Sequence, residues 1–202
     1  MNLRMLFAGL VLLPSLAYAT VGGPQSIEVL GYDAPDQKLY ILRHFYDGRG
    51  RLPQLSYYLL GSPQSQQQID VTSLYLNPQT QQVDFDQDPT QFNQALAKIQ
   101  SRLQKLEPIP TTQLKLEVLV LQQQHISFPM EPSRKLLEYQ YCYQVHYGKM
   151  RSPFQDAVSY QANLQLSQAY RIPQQQQVLA VVKYQGIAME GGYSVEDAVI
   201  FK

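Results

Sequence analysis

The chain's one cysteine, Cys142, stands four residues before His146. That pairing would make a thiol–imidazole nucleophile if the two side chains met. Both fall in an alternating stretch that reads as a β-strand, where residues four apart share a face but sit about 13 Å apart at roughly 3.3 Å per residue. Proton transfer over that span is excluded, so Cys142 is expected to be structural. His44, His125 and His146 show no H-x-H spacing and no second cysteine joins them, so no metal site is expected. Asp84, Asp86 and Asp88 form a D-x-D-x-D string. A calcium loop would follow it with Gly at the sixth position and Glu at the twelfth, where this chain has Pro89 and Ala95. No G-x-S-x-G elbow, S-x-x-K pair or glycine-rich phosphate loop occurs. Glu190 precedes Gly191-Gly192 between two strand-like runs, which favours a tight hairpin turn there, with Glu190 as a general acid or base the alternative.

The most distinctive pattern is aromatic. Tyr139, Tyr141, Tyr143 and Tyr147 fall on one face of an alternating run together with Leu137 and Val145, while Glu138, Gln140, Cys142, Gln144 and His146 fall on the other. Tyrosine offers a flat apolar body with a polar tip, so such a row suits stacking on glycans, peptides or lipid chains. Tyrosine is also a favoured strand residue, and the same row packed under a second layer would be core. The four tyrosines are therefore the candidate binding residues, with core packing the competing reading.

These residues must be held by strands. Ser26–Leu30, Lys38–Tyr46, Leu55–Leu60, Asp70–Leu76 and Val83–Phe85 carry the strand pattern in the first half, with Asp47-Gly48-Arg49-Gly50 as a hairpin turn and Gly61–Gln68 as a loop. Gln113–Gln122, Leu136–Lys149, Ala157–Ser167, Gln177–Gln185 and Tyr193–Phe201 carry it in the second half, cleanest at Ala157–Ser167. Such alternation implies antiparallel strands with one face packed and one wet. The run Gln174–Gln177 marks a turn. A single helix is expected over 88–106. Asp88 caps it, Pro89 opens it, Gln91 completes a capping-box-like pair, and Phe92, Leu96, Ile99, Leu103 and Leu106 form its apolar stripe. Pro108 and Pro110 would close it.

Residues 1–19 have the order of a secretory signal peptide: Arg4, an apolar run from Met5 to Leu13, Pro14, and the small-x-small site Ala17-Tyr18-Ala19. Cleavage would remove Arg4 and leave 20–202 as one domain with 15 basic and 16 acidic residues. No transmembrane segment is expected after cleavage. Charged residues make up 16% of the chain while apolar ones make up 45%, and the 16 basic and 16 acidic side chains cancel. That balance disfavours a basic nucleic-acid binder. One cysteine makes no internal disulfide, and no N-x-S/T sequon occurs. A bacterial periplasm is the favoured compartment, secretion the alternative.

The segment Pro35-Asp36-Gln37-Lys38-Leu39-Tyr40, followed by Gln54-Leu55-Ser56-Tyr57-Tyr58-Leu59, resembles one blade of a TolB-like propeller, whose pattern is P-D-G-K, a strand, a turn and a second strand. Gln37 stands where that family has glycine, and the motif occurs once. A propeller of four or more blades would exceed the mature chain. More broadly, the sequence is similar to uncharacterised exported proteins of Gram-negative bacteria, which implies no catalytic or binding residues.

Together these features lead to an α+β class, mostly antiparallel β, with one curved sheet or partial barrel and a single packed amphipathic helix. The expected function is that of a non-enzymatic periplasmic binding or envelope-accessory protein, a monomer without a cofactor, whose ligand is a small molecule, glycan, peptide or lipid. Two alternatives stay open: a carrier holding an apolar ligand between sheet and helix, and an enzyme whose residues converge only in space.

Overall fold

Two continuous apolar runs, Leu39-Tyr40-Ile41-Leu42 and Val178-Leu179-Ala180-Val181-Val182, decide the layering, because a strand apolar on both faces must be covered twice. The computed structural model describes residues 22–128, 131–188 and 192–202. The expected leader at 1–19 and the turn residues Glu190 and Gly191 lie outside the described residues. The first sheet has the order β1 (Gln25–Asp33), β2 (Lys38–Phe45), β3 (Gln54–Leu59), β4 (Gln68–Asp70). Helix α1 (Pro89–Gln100) follows, then the short β5 (Glu107–Pro108). An outer sheet pairs β6 (Lys115–Phe128) with β7 (Glu131–Tyr147), which also pairs with β8 (Met150–Arg151) and β9 (Gln155–Ser159). The chain then builds a central sheet from β10 (Gln165–Arg171), β11 (Val178–Ile187) and β12 (Tyr193–Phe201), ordered β12-β11-β10-β5. All these pairings are antiparallel.

The fold is α+β, mostly antiparallel, with one helix among the described residues and no closed barrel. Its strands are shared among three stacked sheets. Leu179 and Val181 of β11 face the first sheet, packing with Ile27, Leu39, Ile41 and Tyr58. Val178, Ala180 and Val182 face the outer sheet, packing with Tyr141, Tyr143 and Val145. Hence the first half of β11, 178–182, is dry on both faces, not on one. Likewise Tyr40 and Leu42 of β2 turn away from the central sheet into a third core with Leu55, Tyr75 and Phe92, roofed by α1.

Asp88 caps α1 by accepting from the Thr90 N–H, and Pro89 opens it. The helix ends at Gln100, six residues before the stripe does. The cause is tertiary: Gln104 leaves the helix to exchange two backbone hydrogen bonds with Tyr32, at 2.8 and 2.9 Å. Gly31 permits that approach. Its φ is +145°, and a Cβ there would lie 2.7 Å from the Gln104 carbonyl oxygen. Leu103 still packs under the helix, whereas Leu106 joins the core between the first and central sheets.

Three strand assignments need correction. Asp70–Leu76 is strand only to Asp70, then a 3-10 turn at Ser73–Tyr75. The Tyr75 hydroxyl pins that turn, donating to the Pro53 carbonyl at 2.6 Å and accepting from the Leu55 N–H at 2.7 Å. Val83–Phe85 contributes an isolated bridge from Val83 to Leu76. The clean alternation at Ala157–Ser167 spans two strands in different sheets, β9 and β10. The Ser159 hydroxyl turns the chain between them, donating to the Gln161 carbonyl at 2.8 Å. The propeller-like segment forms the β1–β2 turn and the β2–β3 hairpin. No helix among the described residues is long and apolar enough to cross a membrane.

Candidate functional site

The tyrosine row keeps the shared face that alternation assigned, and most of it is closed. Tyr141 is 3% exposed and Tyr143 1%, and both sit in the core between β7 and the central sheet. Tyr139 is half-buried and stacks parallel to Tyr141, ring centroids 5.7 Å apart. A continuous open stacking surface is therefore not formed, because the central sheet lies across it. Tyr147, at the end of the row, reaches the surface beyond the sheet and its hydroxyl accepts from Arg171 Nη2 at 3.0 Å.

Several of the other chemistry-bearing residues have local partners. His44 Nε2 lies 2.8 Å from Glu28 Oε2. His146 Nε2 lies 3.3 Å from Glu117 Oε2 without hydrogen-bond geometry. His125 is exposed on β6. Asp84 accepts from the Asp86 N–H at 2.9 Å, and Asp88 is the helix cap. Cys142 is a free, half-buried thiol on the outer face of β7, opposite Leu119 and Asp156. Among the described residues, no three His, Cys, Asp or Glu side chains gather as a metal site would require.

A partly buried polar network ties the first sheet to the central one. Arg43 donates to the Glu196 carbonyl at 2.7 Å and to Asp197 Oδ1 at 3.0 Å. Tyr184 donates to the other oxygen of Asp197. Glu196, 6% exposed, accepts from the Ile27 N–H at 2.8 Å, and Tyr58 donates to the Ala198 carbonyl at 2.9 Å. Burial first, and the nearby Asp197 charge second, push the phenols of Tyr58, Tyr143 and Tyr184 far above the ordinary value. Neutral phenols that donate hydrogen bonds are structural ties, and this network cross-braces β2 with β12.

The open site lies at one end of the central sheet. A cleft of about 520 Å³ runs between Tyr147 and Met150 of the outer sheet and the segment Gln175–Val178, with Arg171 and Lys202 also lining it. Its volume falls in the range of small-molecule sites, about 300–1,000 Å³. Met150 and the Tyr147 ring supply apolar wall, and the basic residues Arg171 and Lys202 also line the cleft. Arg171 faces Glu107, with Oε2 at 3.8 Å. Gln175 is anchored by donating to the Tyr32 hydroxyl at 2.8 Å. Gln177 is 7% exposed, and its Oε1 has no hydrogen-bond partner among the described residues. An unsatisfied buried acceptor costs about 1–3 kcal/mol, so this atom is primed for a donor. A smaller hollow of about 200 Å³, edged by Pro108–Pro110 and Gln113, adjoins it through the shared Tyr147 and Arg171.

Of the residues expected at a site, only Tyr147 lines this cleft. Arg171, Gln175, Gln177 and Lys202 were not expected. The glutamine run was legible as a turn but carried no signal for a site. Comparison with protein-family models, with curated proteins and with solved structures finds no match.

Proposed function

We propose that the chain is a non-enzymatic binding protein of the bacterial periplasm that takes a small ligand into the Tyr147–Arg171 cleft. The observation that carries this reading is the cleft itself: apolar walls, two cations and a buried acceptor without a partner, converging where the packed layers end. The place where a lipid carrier would hold its cargo, between α1 and the first sheet, is filled by Tyr75 and Phe92, 0% and 2% exposed. The signal-peptide order of residues 1–19 supports the periplasmic assignment.

Two measurements test the reading. N-terminal sequencing of the protein recovered from periplasm should begin at Thr20, and a full-length cytoplasmic product would overturn the location. The low-molecular-mass fraction of a periplasmic extract should raise the melting temperature of the mature chain but not of Met150→Arg, which fills the cleft. Equal shifts for both proteins, or no shift for either, would overturn the binding reading.

A further inference from the structure

We infer that the cleft recognises the C-terminal residue of a peptide, or an equivalent N-acyl amino acid; this rests on the binding reading above. Such a ligand carries three features in fixed proximity: a carboxylate, an amide N–H one carbon away, and a side chain. The cleft presents a complement to each. Arg171 offers a planar fork of donors, only one of which is engaged by Tyr147. Its side chain is 53% exposed, and its contact with Glu107 is loose at 3.8 Å, so a carboxylate can take a bidentate place. Gln177 Oε1 is an acceptor sealed from water and lacking a donor, and the terminal amide torsion of glutamine is soft enough to turn toward one. A ligand N–H fits it, whereas a sulfate or phosphodiester oxygen has no proton to give it. Met150 and the Tyr147 ring form the apolar wall for the side chain. The adjoining hollow past Tyr147 leaves room for the preceding residue of a peptide.

The test is NMR titration of the mature, methyl-labelled chain with four probes: N-acetyl-leucine, N-acetyl-leucinamide, 4-methylpentanoate and octyl phosphate. N-acetyl-leucine should shift the Met150 methyl resonance and the Gln177 side-chain amide. Removing the charge, as in the leucinamide, or the N–H, as in 4-methylpentanoate, should each weaken binding about tenfold. Arg171→Gln should abolish the preference for acid over amide while sparing the preference for the N–H. Gln177→Leu should do the reverse, and melting curves of both variants show whether they fold. Equal binding of all four probes, or no shift by N-acetyl-leucine, overturns the inference. Octyl phosphate binding more tightly at Met150 than N-acetyl-leucine also overturns it, yet leaves the cleft as a binding site. Failure of every probe together with failure of the extract to stabilise the protein removes both.

Discussion

Raising the pH should unfold this protein through its interior tyrosines. Tyr58, Tyr75 and Tyr143 are 2%, 0% and 1% exposed. Burial pushes the Tyr75 phenol up to about 12, and carries Tyr58 and Tyr143 further in the same direction. In the unfolded chain these phenols return to an ordinary value of about 10. Below about pH 10 both states keep their protons, and the stability these groups confer is fully present. Above it the unfolded chain gives up protons that the native state retains, so unfolding free energy falls as pH rises. Each tyrosine contributes a slope of about 1.4 kcal/mol per pH unit, so three together give about 4 kcal/mol per unit. Tyr184, half-buried, adds less because solvent screens it. The slope eases above about pH 12, where Tyr75 itself ionises in the native state. Against a stability of about 5 kcal/mol, at the lower end of the usual range, it unfolds the domain between about one and two pH units above 10. Tyrosinate absorbance and far-ultraviolet circular dichroism, recorded against pH, should change together in one cooperative step. Tyr58→Phe should flatten the slope by about a third. It should also cost about 1 kcal/mol at neutral pH, through the lost hydrogen bond to the Ala198 carbonyl. Complete tyrosine ionisation with the strand signal intact, or an unchanged slope in Tyr58→Phe, would refute this reasoning.

Three substitutions probe other parts of the structure. Arg102→Met strips the ion partner at 2.6 Å from Asp33, which is 1% exposed. It should lower the urea-derived stability by about 2–3 kcal/mol, less than for a fully buried pair because Arg102 is 49% exposed. Gln37 holds φ +52°, where glycine is at ease, so Gln37→Gly should raise the melting temperature slightly, for a gain of about 0.5–1 kcal/mol. Tyr143→Ala should cost about 3–5 kcal/mol, as truncation of a buried aromatic ring does, while Tyr147→Ala should melt near the wild type yet lose the stabilisation by extract. Similar melting temperatures for both tyrosine variants would contradict the burial difference between them.

Local chemistry carried the legible part of the fold. Asp88, Pro89 and Phe92 announce a helix start because capping and periodicity act within a few residues. Alternation likewise put Tyr139, Tyr141, Tyr143, Val145 and Tyr147 on one face. Period two does not say what covers a face, and the residues of β10, β11 and β12 that close over Tyr141 and Tyr143 come after residue 164. The same blindness hid the sheet change inside Ala157–Ser167, where the alternation runs on while the chain turns at Ser159. The end of α1 at Gln100 is set by a bridge to Tyr32, far away in sequence. The cleft is non-local throughout: Arg171 meets Tyr147 across 24 residues, and Gln175 meets Tyr32 across 143. No short motif records such meetings, so the site's cations and its buried acceptor become visible only once the layers are stacked.

The central claim, that the Tyr147–Arg171 cleft is a ligand site, is tested most directly by native mass spectrometry of the mature protein recovered from periplasm, beside the cleft-filling variant Met150→Arg. The wild type should carry a non-covalent small-molecule adduct that collisional activation releases. The variant should be recovered folded, at the same melting temperature, without it. A bare wild-type mass, or the same adduct on both proteins, would contradict the account.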